Sequence, residues 1–176
     1  MSEITVRPME PEDWNAVSRI YLEGISTEHA TFQTNCPPYT AWDASHTKDC
    51  RLVVLDGGVI AGWTALHRVD PRWCYRGVVE VSIYVGEQFR GRGLGYHLLT
   101  ALCAAAEQAG YWTLQSTAIE LEPWDPPRLP RPLAGHLPDG TPLQGRRTRR
   151  VQEALIRIKK RRYSDLLHLR FFVQGV

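Results

Sequence analysis

The stretch GEQFRGRGLGYH, residues 86–97, sets Gly91, Gly93 and Gly95 in alternation with Arg92 and Leu94, behind Arg90 and just ahead of a helical pattern. Residues without a Cβ let consecutive backbone N–H groups aim into one concavity. The helix that follows adds the positive end of its dipole, so the chemistry on offer is the holding of an anion, a phosphate above all. The turn lacks the Lys-Ser/Thr ending of a nucleotide P-loop, and Tyr96 stands where a dinucleotide fingerprint needs glycine. For the glycines alone, a plain strand-to-helix turn is the alternative. Directly upstream, VVEVSIYV carries a single carboxylate, Glu80, in a mostly β-branched run. Burying a carboxylate without a partner is costly, so Glu80 is a proton acceptor at a site, a solvent-facing edge residue or the partner of Arg76.

These residues need a frame, and the periodicity supplies one. Ile4 to Met9 alternates as a strand, and Pro11, Trp14, Val17, Ile20 and Tyr21 recur at helical spacing. YTAWDASH reads as a short second helix, after a loop that ends in Pro37-Pro38. RLVVLDGGVIAGWTALHRV is two apolar runs joined at Asp56-Gly57-Gly58, a hairpin signal because glycine supplies the positive φ of tight turns. VVEVSIYV is a central strand, and Leu94, Leu98, Ala101, Leu102 and Ala105 mark one apolar face of a helix ending near Gly110. YWTLQSTAI is a further strand. The order β-α-α-β-β-β-α-β defines an α/β domain in which an antiparallel meander feeds one crossover helix.

At 176 residues, 43% of them hydrophobic, the chain is expected to be a single domain. No apolar run approaches the roughly 18 residues of a membrane span, and the N-terminal stretch is not a secretory signal, so the expectation is a cytoplasmic protein without a membrane partner. Cys36, Cys50, Cys74 and Cys103 form no C-x-x-C pair, and His29, His46, His67, His97, His136 and His168 form no metal-ligand spacing, so no metal is assigned. The net charge of +2 is unevenly spread: residues 1–145 hold 11 basic and 17 acidic side chains, residues 146–170 hold 10 and 2. The basic segment suggests a nucleic-acid or acidic partner, but it lacks interleaved base-stacking aromatics, and a solvated face is the reading preferred.

Taken together, VVEVSIYVGEQFRGRGLGYHLLTALCAAAEQAG resembles the acetyl-CoA motif of the GNAT superfamily of N-acetyltransferases, with Arg90, Gly93 and Gly95 meeting its Arg/Gln-x-x-Gly-x-Gly/Ala pattern. RPMEPEDWNAVSRIYLEGI, ATFQT, the Trp42 helix, CRLVVLDGGVIAGWTAL and AAAEQAGYWTLQS extend the likeness, over residues 4 to about 119, to the phosphinothricin N-acetyltransferase branch. The resemblance implies a mixed, mostly antiparallel sheet around a central acetyl-CoA-binding helix. It implies that the backbone of Ile83 and Val85 pairs with the pantetheine arm, with Tyr84 in the same cofactor-binding stretch, and that the N–H groups of Gly91, Arg92, Gly93, Leu94, Gly95 and Tyr96 hold the pyrophosphate. Arg90 and Arg92 either add charge there or are solvated surface residues. Glu80 takes the position of the base, near a strand bulge. Val81, Ser82, Phe32 and Arg72 fall on the side of the substrate, a small amine of the phosphinothricin or methionine sulfone type. The acetyl group passes directly, without an acyl-enzyme, and the family implies a homodimer.

Beyond Ile119 the likeness breaks. Residues 120–150 are Pro- and Arg-rich, with seven of the twelve prolines between Pro123 and Pro142, and no asparagine follows Asn35. The family's cofactor-contacting Asn falls on or near Glu122, which cannot donate as an amide does, and its proton-handling His has no match, His136 being nearest. Such a block is what an out-of-frame reading of a GC-rich gene gives; divergence and an artificial sequence are the alternatives. Residues 151–176 read as a basic helix to about Arg161, followed by an apolar strand. A domain that binds acetyl-CoA without turnover is therefore the alternative to an enzyme.

Overall fold

The computed structural model describes residues 2–120 and 150–157. Strands β1 (Ile4–Pro8), β2 (Leu52–Asp56), β3 (Val59–Arg68), β4 (Val78–Val85), β5 (Thr113–Glu120) and β6 (Arg150–Arg157) form one sheet in the order β1-β2-β3-β4-β5-β6. Helices α1 (Trp14–Ser26) and α2 (Tyr39–Ser45) connect β1 to β2, and α3 (Leu94–Gln108) crosses from β4 to β5. The element order through β5 is the one the periodicity predicts. Gly57 and Gly58, at φ +60° and +83°, make the turn between β2 and β3.

Neighbouring strands are antiparallel except β4 and β5, which α3 joins in parallel. Because side chains alternate across a strand, the sheet has two apolar faces. On one, Val53, Trp63 and Ala65 pack with Val17, Ile20 and Tyr21 of α1 and Trp42 of α2. On the other, Leu66, Val79, Val81 and Leu114 lie under Leu102, Cys103 and Ala106 of α3, while Val54, Ala61 and Val85 meet Leu94 and Leu98. The stripe that α3 buries thus runs through Cys103 and Ala106, where the spacing suggested Ala101 and Ala105. In a helix so rich in small residues the period alone does not fix the rotation. Leu102 is fully buried, and Leu102→Ala is expected to cost about 2–5 kcal/mol, read as a lower urea midpoint at unchanged slope.

Two expectations are corrected. Residues 150–157 are a strand, not the start of a basic helix: they pair residue by residue with β5, from Glu120↔Arg150 to Thr113↔Arg157, and closing an open sheet edge outweighs local helix propensity. The bulge lies not in β4 but in β3, where Val54 pairs with Gly62 and Leu55 with Ile60, passing over Ala61. The β3–β4 register is unbroken from Gly62↔Val85 to Arg68↔Val79. The Pro/Arg-rich block and the expected apolar C-terminal strand fall outside the described residues.

At the end of α2 the His46 ring stacks on Trp42, centroids 4.4 Å apart, and its Nδ1 donates to the Trp42 carbonyl at 2.8 Å. Burial holds the imidazole below its ordinary range, with nearby His67 and Arg51 adding to the effect and the Trp42 carbonyl opposing it. The unfolded chain therefore binds this proton more readily than the native one. His46 contributes stability above the unfolded value of about 6.5, and that contribution is lost as pH falls below it toward the lower native value. The melting temperature is expected to drop on acidification from neutral pH, and His46→Phe, which keeps a ring on Trp42, should flatten that slope even if its baseline stability is lower.

Candidate functional site

The parallel contact between β4 and β5 is short: Val78↔Thr113, Val79↔Leu114 and Glu80↔Gln115. Both strands continue, to Val85 and Glu120, but among the described residues they do not pair again. β4 instead follows β3. The Ser82 carbonyl accepts from Thr64 Oγ1 at 2.9 Å, and the Gly86 N–H donates to the Ala61 carbonyl at 2.8 Å. These even-numbered residues turn their backbone groups toward β3, so alternation turns those of Val81, Ile83 and Val85 toward the gap. The result is a wedge with a half-satisfied strand edge on one side.

At the wide end of the wedge lies the glycine turn. A short 3₁₀ turn, Glu87–Phe89, leads to Gly91 and Gly93, whose φ values of +74° and +75° favour glycine, and Gly93 caps the N-terminus of α3. Among the described residues the N–H groups of Gly91, Arg92, Gly93, Leu94 and Gly95 make no hydrogen bond, while that of Tyr96 donates back to the Gly93 carbonyl at 3.1 Å. Among the described residues a Cβ added at Gly91 or Gly93 would meet nothing within 4 Å. The Nε of Arg90 is buried without a partner among the described residues. Unspent donors, an orphaned guanidinium nitrogen and a helix N-terminus together fit an anion such as a pyrophosphate. Arg92 is differently engaged: its Nη1 donates to Asp56 Oδ2 at 2.6 Å, tying the turn to the β2–β3 hairpin. A second tie runs from the Glu87 N–H to Glu23 Oε2 of α1 at 2.8 Å.

Glu80 stands where the strands part. Its Oε2 lies 3.2 Å from Nε2 of His67, its partner in the β3–β4 register. Arg76, the partner considered from sequence, lies over the rings of Trp73 and Trp112. Glu80, Ser82 and Tyr84 share the face covered by α1 and α2. The Tyr84 ring stacks on Trp63 at 4.8 Å and meets Tyr21 edge-on, and burial raises its hydroxyl pKa far above the ordinary value. Val81 points the other way, into the core beneath α3, so its side chain cannot line a pocket with Ser82; the alternation of a regular strand forbids it. Phe32 is exposed in the α1–α2 loop. Arg72, in the β3–β4 loop, is bound to both oxygens of Asp70 at 2.8 and 2.7 Å. The structure thus brings His67 to Glu80, which sequence reasoning missed, because strand register across the 69–77 loop leaves no mark in residue spacing.

Among the described residues no group of three His, Cys, Asp or Glu side chains could hold a metal, and no helix is long and apolar enough to cross a membrane.

Comparison with known proteins places this geometry. Residues 14–121 match the acetyltransferase (GNAT) family. YwnH of Bacillus subtilis (strain 168), provisionally named a phosphinothricin acetyltransferase, is 32% identical over 120 residues, 64% of this chain and 72% of its own. The phosphinothricin N-acetyltransferase of Alcaligenes faecalis is 31% identical over 61% of this chain, a match that spans 57% of the relative's length. The structure of yncA from Salmonella typhimurium, solved with its cofactor acetyl-CoA, shares the fold with a TM-score of 0.60 at 24% identity, over 67% of this chain and 71% of that one. With the family match running through more than half of its length, the chain belongs to the acetyltransferase (GNAT) family.

Proposed function

We propose that this chain moves the acetyl group of acetyl-CoA to the primary amine of a small amino-acid-like substrate of the phosphinothricin, methionine sulfone or methionine sulfoximine type, with Glu80 as general base. The observation that carries the reading is the parting of β4 and β5 beyond Glu80↔Gln115. It leaves the backbone of Ile83 and Val85 able to complete its hydrogen bonds with an extended amide-bearing arm, as a peptide adds to a sheet edge. The N–H groups of Gly91 to Gly95 and the N-terminus of α3 then meet the pyrophosphate, with Arg90 beside them.

Acetyl-CoA supplies the thioester whose carbonyl the amine attacks: the C–N bond forms, the C–S bond breaks, and the CoA sulfur leaves as the thiol with the second proton of the nitrogen. At neutral pH the amine arrives as an ammonium, which is no nucleophile. Glu80, at the point of the wedge, takes its proton, directly or through a water, and passes it to solvent. Ser82 shares the Glu80 face and lines the amine's approach, with Phe32 at its rim and Arg72 toward an acidic group of the substrate. The amine's likeness to phosphinothricin is supported by the curated relatives in that branch.

Acetyl-CoA at about a hundred times its Kd is expected to stabilise the folded protein by about 2.7 kcal/mol, seen as a higher melting temperature. Thiol release with methionine sulfone should follow, and Glu80→Gln should lower kcat by roughly 10²–10⁴-fold while leaving the acetyl-CoA-induced shift intact. Stabilisation without thiol release for any of the three amines would make the chain a binder and not a catalyst. No stabilisation at all would remove the cofactor reading.

A further inference from the structure

His67 has no part in the chemistry so far, yet it lies beside the group on which that chemistry turns. The β3–β4 register sets His67 opposite Glu80, and its Nε2 stands 3.2 Å from the carboxylate. The side chains are 35% and 27% exposed, so the pair is partly sheltered but open to water and to a small substrate. The ring is also held from behind. His46, at the end of α2, meets it edge-on with centroids 6.0 Å apart, and the Thr47 N–H donates to the Leu66 carbonyl at 2.7 Å, fixing this segment against β3. Beyond His46 lies Arg51, bonded to Asp43 at 2.6 Å and stacked over Trp42. Among the described residues, the titratable and charged groups on the His67 side are thus Glu80 from β4 and His46 at the end of α2, with Arg51 behind it, while Arg68, next on the strand, falls on the α3 face. His46 already spends its Nδ1–H on the Trp42 carbonyl, which leaves His67 as the imidazole that faces the carboxylate.

We infer that His67 is the positioning residue for the Glu80 base: its Nε2–H donates to the carboxylate and fixes that side chain's rotamer at the point of the wedge. A charge-assisted hydrogen bond of this kind is directional, and a carboxylate that rotates away from the amine loses the short contact that proton transfer requires. In each turnover one proton passes from the substrate ammonium to the carboxylate and on to solvent, and His67 remains the donor throughout. The inference rests on Glu80 being the base, and the two can fail separately.

The test compares full-length wild type with Glu80→Gln, His67→Leu and His67→Gln, measuring kcat, KM and acetyl-CoA affinity with methionine sulfone across the neutral pH range. His67→Leu should lower kcat about tenfold or more and move the acid limb of its pH profile to higher pH, with acetyl-CoA affinity unchanged. His67→Gln, whose amide still donates, should recover most of the rate and return the limb toward its original position. If His67→Leu keeps the wild-type rate and profile, or if both variants lose equally with the profile unmoved, the positioning role is overturned and His67 only packs. A wild-type rate in Glu80→Gln sinks the base assignment itself. Should no amine turn over, ¹⁵N spectra of the His67 ring decide: an Nε2-protonated neutral tautomer that is lost in Glu80→Leu, which leaves no acceptor, supports the pairing, and an identical spectrum overturns it.

Discussion

Three residue pairs hold β4 and β5 together, and the site depends on there being no more among the described residues. Each strand has a stronger commitment on its other side. β4 is paired with β3 from Val79 to Val85, and β5 with β6 from Thr113 to Glu120. The α3 crossover brings Val79 and Leu114 into one core cluster, which pins the strands where they meet and leaves them to follow their separate partners. A wedge is the geometric outcome. Open backbone groups in a sheet interior are normally a defect that folding avoids. Here they persist because the neighbouring ladders are complete, and they give an extended ligand a ready-made strand edge.

The alternation of β4 then divides the labour between side chains and backbone. Val79, Val81 and Val85 anchor the strand to α3, while Glu80, Ser82 and Tyr84 face α1 and α2. One strand thus offers its backbone to the gap and its carboxylate to the adjoining face. Tyr84 has no freedom to act as anything but a wall. A Cβ at Gly24 of α1 would sit 2.7 Å from its ring, so the helix can come this close only with glycine there. That contact, with the Trp63 stack, packs the floor beside Ser82 closely.

The glycine turn is held by contacts from three directions. Gly86 is bonded to β3, Glu87 to α1 through Glu23, and Arg92 to the β2–β3 hairpin through Asp56. These ties let a loop with two left-handed glycines keep its N–H groups aimed without spending them on itself. They also separate two arginines that look alike in sequence. Arg92 is a tether, its Nη1 bonded to Asp56, whereas among the described residues the buried Arg90 Nε has no partner.

The order of elements was legible because each carries its own mark: the Asp56-Gly57-Gly58 turn, the β-branched β4, the apolar stripe of α3 closed by Gly110. What sequence could not show are relations between elements. The pairing of Glu80 with His67 depends on how many residues the 69–77 loop consumes, a geometric count to which Trp73, Cys74 and Tyr75 contribute by coiling into a 3₁₀ turn. The strand at Arg150–Arg157 has a helix-compatible composition and exists as a strand through its ladder with β5. The family resemblance sets Val81 with Ser82 on the substrate side, whereas the two-residue period puts them on opposite faces. Each miss has one origin: local pattern fixes what a segment can be, but the partner across the ladder decides which side chains meet. Two side chains thirteen positions apart in the chain, His67 and Glu80, can therefore be direct neighbours in the sheet.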